Sequence, residues 1–297
     1  MKIAVLTQDL EFYGAQRLIE SAKELGHECD FIKVSDLSII FNDSETLTSD
    51  IIYNEKSLTN YDLVIIHFVF SYTRLVIGII EYLRNEGVKV FDNNLTIVSN
   101  NVNKVKDGIL LSINNNPYPQ TVSTMNEKNF RTYCMKLGFP VIVKSIHTGA
   151  GIGVHKLDSE KDIDKFLYEE IEVKEKKIKN YIIQEFIPYE KDLRIFVVDK
   201  KIIGAMQRIP APGEFRANFS QGGSVKRIDI DESIENIVIK SVESTNAIHA
   251  GVDILVTKDN KKYVLEVNRS PGFEGFEQAT NINVAKLIIE SSIKNSK

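Results

Sequence analysis

The sequence predicts an α/β first domain on a parallel, doubly wound sheet, followed from about residue 96 by a longer region of antiparallel hairpins. Three observations carry this. Short apolar runs alternate with helically spaced segments up to residue 91, as βαβ units require. Past residue 140, pairs of apolar runs are joined by polar or glycine-rich turns, the mark of hairpins. The 297 residues also exceed the ~150 expected of one domain.

Residues 3–6 read as a buried strand, and 15–25 follow with Ala15, Leu18, Ile19, Ala22 and Leu25 at helical spacing before Gly26 ends the helix. Runs 29–34, 63–68 and 88–91 are further strands, with an apolar helix over 72–84 between the last two. Such alternation implies a parallel sheet. No GxGxxG follows the first strand, and the single Gly14 gives a dinucleotide site little support. This domain reads as a scaffold that supplies one wall of a cleft. The Asn-rich segment 100–116 carries a helix with Val105, Ile109, Leu110 and Ile113 at its core, and stops at Pro117-Tyr118-Pro119. A domain boundary is therefore expected near residue 95. Lys104 opens this segment; taken singly, it reads as a solvated lysine.

Next come a strand over 140–144, a loop over 145–153 with Gly149, Gly151 and Gly153, and a strand over 154–157. Glycines let backbone amides approach an anion, and Lys144 on the preceding strand can meet phosphate charge. This is not a Walker A loop, whose lysine ends the glycine run at the start of a helix. A ligand-free glycine hairpin accounts for the stretch equally well, and His147 reads as a tolerated loop residue. An acid-rich helix over 162–170 and a mixed-charge surface run over 173–180 lead to a strand over 181–187, stopped by Pro188. Residues 193–198, the turn Asp199-Lys200-Lys201 and 202–206 make an apolar hairpin with Asp192, Arg194, Arg208, Glu214 and Arg216 gathered at its ends. Guanidinium suits carboxylate or phosphate oxygens held bidentately, although ordinary surface charge has the same composition. Gly222-Gly223 is a second loop whose amides could face an anion.

A helix over 233–249 then releases the chain at Gly251, and a closing helix covers 285–293. Between them, period-two alternation puts Val264, Glu266 and Asn268 on one face of a strand and Leu265 and Val267 on the other. A partner strand over 254–256, joined through the polar turn 257–262, brings Asp253 near Glu266 and Asn268. Converging oxygens of this kind suit Mg2+. A solvated hairpin with chance acids is the alternative.

The net charge of −4 with 26% charged residues provides no basic patch for a nucleic acid. Cys29 and Cys134 form no CxxC, so neither a zinc site nor a disulfide framework is indicated. The N-terminus carries neither a secretory apolar stretch nor a membrane span. A cytoplasmic protein is expected, with no membrane partner; a homo-oligomer is left open.

Taken in order, Lys104, Lys144 with its glycine loop, Gln184-Glu185-Phe186-Ile187, Asp192-Leu193-Arg194, residues 214–218, Gly222-Gly223, Gly251-Val252-Asp253 and 266–272 resemble the RimK-like branch of the ATP-grasp ligases. Residues 6–28 resemble its opening, so the likeness spans nearly the whole chain. The resemblance implies a Rossmann-like pre-ATP-grasp α/β domain over 1–95, then an ATP-grasp fold of two α+β subdomains over 96–187 and 188–297. It implies ATP and Mg2+, or Mn2+ in its place, and a carboxylate substrate, peptide or small molecule, joined to an amine or amino acid through an acyl phosphate. Lys104, Lys144 and the loop with Gly149, Gly151 and Gly153 would meet the phosphates. Gln184, Glu185, Phe186 and Ile187 would hold adenine, mainly through backbone groups, and Asp192 and Arg194 belong with these nucleotide positions. Asp253, Glu266 and Asn268 would hold the metal, and Arg208, Arg216 and Asn218 would lie near the transferred phosphoryl group and the substrate carboxylate. A nucleotide-binding regulatory protein without turnover is the alternative from another class. Two stretches depart from the glutamate-adding members: Ile209-Pro210-Ala211-Pro212 after Arg208, and His67-Phe68-Val69-Phe70-Ser71, which lacks a common Pro-Arg-Ile-Gly pattern. Both departures bear on the substrates, not on ATP.

Overall fold

A computed structural model describes residues 1–42, 49–96, 103–146, 152–211 and 223–296. The first third closes into a parallel sheet as its alternation requires. Its elements are β1 (Lys2–Thr7), α1 (Tyr13–Glu24), β2 (Glu28–Lys33), β3 (Ser38–Ile40), β4 (Asp50–Tyr53), β5 (Lys56–Ser57), β6 (Leu63–Ile66), α2 (Thr73–Asn85) and β7 (Lys89–Phe91). The order β2-β1-β6-β7 is parallel throughout. Gly26, with φ +80, ends α1 in the left-handed conformation that a side chain would disfavour. The small antiparallel sheet β3-β4-β5 is absent from the sequence reading because strands of two to four residues leave no usable periodicity. The chain leaves β1 toward β2 on one side and returns to β6 on the other, so the sheet's topological switch point lies between β1 and β6.

The next sheet, in the order β10-β9-β11-β8, is antiparallel. Its elements are α3 (Lys104–Ile113), β8 (Thr121–Ser123), α4 (Glu127–Leu137), β9 (Val141–Ser145), β10 (Val154–Leu157), α5 (Glu160–Phe166) and β11 (Tyr181–Glu185). Phe130 of α4 and Phe166 of α5 cover Val141, Val143 and Ile183 on one face. The helix α4 was not foreseen; Asn126 caps it by accepting from the Asn129 amide at 2.9 Å.

The last region holds β12 (Lys191–Val198), β13 (Lys201–Ile209), β14 (Ser224–Ile228), α6 (Glu232–Thr245), β15 (Ala250–Val256), β16 (Lys262–Asn268), α7 (Glu274–Thr280) and α8 (Val284–Asn295). Its five strands run β14-β13-β12-β15-β16. The β12–β13 turn sits on Asp199 and Lys200, both at positive φ, as a two-residue hairpin with matching twist requires. On one face, Leu193, Ile195, Val252, Ile254, Val264 and Val267 pack beneath α6. On the other, Phe196 and Met206 pack with Phe276 and α8 against Ile3, Val5 and Leu18 of the first sheet and α1. The first and last regions therefore share one core.

Two expectations about facing are corrected. In α3, Ile109 and Ile113 are 56% and 68% exposed, whereas Asp107, Gly108 and Leu111 turn inward. The inward face is held by polar and steric partners that apolar periodicity cannot register: Asp107 pairs with Arg269, and the Tyr118 ring packs 3.1 Å from where a Gly108 Cβ would sit. In β16, Val264 and Val267 share the buried face, and Glu266 does not join Val264. Asp253 pairs with Glu266 but Ile254 pairs with Val264, so Leu265 is an extra residue, and this bulge inverts the alternation. Among the described residues, no helix is long and apolar enough to cross a membrane.

Candidate active site

Strand alternation places Asp192 and Arg194 of β12, Arg208 of β13, Asp253 of β15, and Glu266 and Asn268 of β16 on the sheet face opposite α6. Direct cross-strand pairing sets Asp192 against Arg208, Arg194 against Asp253, and Asp253 against Glu266. The result is a row that alternates in charge from Arg208 to Asp253 and ends in a second acid, Glu266. Arg194 Nε and Nη2 donate to the two Asp253 oxygens at 2.7 and 2.8 Å. Arg208 donates to Asp192 through Nε at 2.8 Å and reaches Asp253 through Nη1 at 3.0 Å. Burial acts to raise the Asp253 carboxyl, but Arg194 and Arg208 together outweigh it and hold the group below the usual carboxylate range. Such a buried network tolerates no missing member, because a lone charge left there would cost about 3–5 kcal/mol.

The opposing wall comes from β9 and β11. Lys144 is half-buried and donates to the Gln184 side-chain oxygen at 2.6 Å. The Gln184 amide is oriented in turn: Thr121 gives its hydroxyl proton to Pro119 O and accepts from Gln184 Nε2, which leaves the Gln184 oxygen facing Lys144. Burial pulls the Lys144 ammonium down to about 8, with Lys104 adding to the effect and Glu266, Asp253 and Asp192 offsetting part of it. Lys144 therefore senses the charged row from across the cleft. Lys104, in the first turn of α3, lies 3.8 Å from Glu266.

The structure thus brings together Lys104, Lys144, Gln184, Asp192, Arg194, Arg208, Asp253 and Glu266. Gly153, at φ +68, closes the β9–β10 hairpin by accepting from the Ser145 amide at 2.9 Å. Gly149 and Gly151 of that loop, and Arg216 and Asn218 after β13, lie outside the described residues. At the expected adenine strip, the Glu185 amide donates to Gln120 O, Lys156 lies over the Phe186 ring at 5.2 Å, and Ile187 is buried. The Glu185 N–H is therefore committed within the sheet edge.

As partners for a cation, the three oxygen donors differ. Glu266 is partly exposed, with Lys104 close by, and Asn268 Oδ1 accepts only from the Ser270 amide, at 3.0 Å, among the described residues. Both fit a hard cation. Asp253 stands apart from them because two guanidinium groups occupy both its oxygens, and the described residues include no cluster of three acidic, His or Cys ligands.

Sequence reasoning missed the support behind β16. Arg269 is buried, pairs with Asp107 at 3.3 Å and donates to Thr245 O, which ties the end of β16 to α3 and α6. Asn93 donates to the carbonyls of His249 and Arg269 and accepts from the Ile248 and His249 amides, joining the first domain to the same turn. A single buried Asn with four backbone partners leaves no local pattern by which to find it.

Residues 101–292 match the RimK-like ATP-grasp domain and residues 1–97 the RimK PreATP-grasp domain. A probable alpha-L-glutamate ligase of Vibrio vulnificus (strain YJ016) is 32% identical over 300 residues, covering 100% of this chain and 97% of the relative. Another from Trichodesmium erythraeum is 32% identical over 305 residues, covering 99% and 97%. Among solved structures, ATP-grasp ligase PsnB with a minimal precursor superposes with a TM-score of 0.72 at 19% identity, covering 99% of this chain and 98% of that one. D-alanine–D-alanine ligase from Bacillus anthracis superposes with a TM-score of 0.68, also at 19% identity and with the same coverage. Motifs, fold and relatives agree: the chain belongs to the RimK-like ATP-grasp family of ATP-dependent carboxylate–amine ligases.

Proposed function

We propose that this enzyme joins an amino acid to a peptide, protein or small carboxylate in the cytoplasm, using ATP and Mg2+ in the cleft between the two antiparallel sheets. The observation that carries this is the half-buried Lys144 ammonium facing the row Arg208-Asp192-Arg194-Asp253-Glu266. A carboxylate oxygen leaves poorly, so the substrate is first activated by the ATP γ-phosphoryl group as an acyl phosphate, which the amine then attacks with loss of phosphate. The first encounter sets anion against polyanion. Lys104 and Lys144 supply positive charge for the phosphates, and partial burial strengthens the Lys144 contribution because fewer waters screen it than at an open surface. Arg208 would hold the transferred phosphoryl group or the substrate carboxylate together with Arg216 and Asn218, and Arg194 and Asp192 beside it would serve the nucleotide; the guanidinium groups gathered along β12 and β13 support this. Glu266 and Asn268 would hold Mg2+, joined by Asp253 when its arginines turn to substrate. When bound, the metal supplies Lewis-acid neutralisation of phosphate charge. Phe186 and Ile187 would contact adenine.

Incubation with ATP, Mg2+ and paired carboxylate and amine mixtures should release ADP and phosphate only when both substrates are present. Glu266→Ala should lower turnover by about a hundredfold or more; full turnover in that variant would refute the metal-site assignment. The pairing of Asp253 with two arginines favours one other reading, a nucleotide-binding regulator without turnover. ATP binding with no ADP release from any substrate pair would establish it.

A further inference from the structure

The loops at the carboxyl ends of β1 and β6 meet at the switch point of the first sheet, the place where open α/β sheets take their ligands. An aromatic cluster stands there. Phe12 and Phe68 stack with centroids 4.2 Å apart and planes 4° from parallel, and Phe70 meets Phe68 edge-on at 5.1 Å. Phe70 is 40% exposed, so the cluster is open to solvent. Phe68 holds φ +53, a conformation that costs a bulky residue about 1–3 kcal/mol and persists where surroundings impose it. The Gln8 amide donates to Phe68 O at 3.0 Å, and the Ser71 amide donates to the Gln8 side chain at 2.8 Å, which locks this geometry across the two loops.

The cluster faces the reactive end of β16. Phe68 and Phe70 line a cavity whose other wall includes Arg269 and Ser270, directly after Asn268, and Phe12 lies 3.9 Å from where a Gly272 Cβ would be. Of the two charged groups lining this cavity, Asp92 pairs with Arg84 at 3.3 Å and Arg269 with Asp107, while Arg269 Nε keeps no hydrogen-bond partner among the described residues. The exposed acids of the β1 loop, Asp9 and Glu11, are not part of the lining. Arg74, in the first turn of α2, is exposed to solvent and is not part of the lining. An aromatic or branched aliphatic side chain entering here would meet the rings of Phe68 and Phe70 and the apolar Ile66, Val69 and Leu95 of the same lining.

We infer that Phe12, Phe68 and Phe70 form a specificity subsite for a large apolar side chain on one of the two substrates joined, carried by a free amino acid or by a peptide end. This rests on the ligase reading above, and the test separates the two. Binding of L-phenylalanine, L-glutamate and the tripeptides Ala-Ala-Phe and Ala-Ala-Glu to the full chain is titrated by saturation-transfer NMR. ADP release with ATP, Mg2+ and amino-acid mixtures containing each of these is measured alongside. The apolar member of one pair should bind at least tenfold more tightly than its acidic counterpart, and the pair that discriminates identifies free amino acid or peptide end as the source. Phe70→Ala should erase about tenfold of that affinity and leave ATP affinity unchanged; its partly exposed position spares the fold. Phe68→Gly, which keeps the backbone conformation, should do the same. Preference for the acidic member in both pairs, or indifference of apolar binding to both variants, overturns the subsite. Apolar binding lost in the variants, with no ADP release from any mixture, keeps the subsite and overturns the ligase reading.

Discussion

Lys144 has four methylenes and one charge, and its environment decides what that charge can do. Its half-buried ammonium, held by Gln184, is pulled down to about 8 by desolvation, so it is protonated at pH 7 and largely neutral at pH 9. The charge that meets phosphate is therefore present below about 8 and lost as pH rises through it. The ATP dissociation constant, followed by calorimetry, should rise by up to about tenfold per pH unit above 8. Lys144→Arg keeps its charge across this range and should flatten the profile. An unchanged slope in that variant would show that another group titrates. The position of Lys144 before the glycines was legible in the sequence, and so was its suitability for phosphate. Gln184 was read for its backbone, but its side chain orients the lysine through Thr121 and Pro119, a relay across three strands and a loop that no local pattern encodes.

The hairpin β15–β16 shows how an element can be right in kind and wrong in detail. Alternating residues and the polar turn 257–262 identified both strands and set Asp253 beside Glu266, as observed. The bulge at Leu265 was invisible because it depends on both strands together: Val264 opposite Ile254 and Val267 opposite Val252 can both face the core only with an extra residue between them. Gly251 marks another contact of this kind. A Cβ there would lie 2.8 Å from Pro271 Cβ, closer than real side chains approach, so only glycine lets the exit turn fold back over β15. Gly251→Ala should lower stability by about 1–3 kcal/mol in urea unfolding. It should also reduce turnover, because the displaced turn follows Asn268 directly. Wild-type stability and turnover in this variant would show that the turn moves freely.

At the scale of the whole molecule, the first sheet and the last share one core, and two histidines are enclosed where the regions meet. His67 and His249 are buried, and neither Nε2 has a hydrogen-bond partner among the described residues. Burial pulls His67 down to about 4 and His249 down to about 3. Between these values and the ordinary 6.5, the unfolded chain binds protons that the folded chain refuses, so stability falls as pH drops below 6.5. The loss is about 1.4 kcal/mol per pH unit for each histidine. Urea unfolding at pH 7.5, 6 and 5 should show this slope, and the double substitution His67→Gln with His249→Gln should flatten it. A slope that survives both changes would assign the acid sensitivity to the carboxylates.

The order of motifs along the chain determined the family, the parallel first sheet and the identity of most charged groups in the cleft, because apolar period, turn chemistry and motif spacing are local properties. Only the tertiary structure decided how those groups are partnered. Asp253, Glu266 and Asn268 form one set on paper; in the fold, two arginines from β12 and β13 claim both oxygens of Asp253, whereas Glu266 has only Lys104 nearby and Asn268 one backbone donor among the described residues. The inward face of α3 and the aromatic cluster at the switch point likewise depend on what residues more than fifty positions away bring to them. A buried charge or ring is governed by the nearest groups in space, and those groups are brought together by the packing of the sheets.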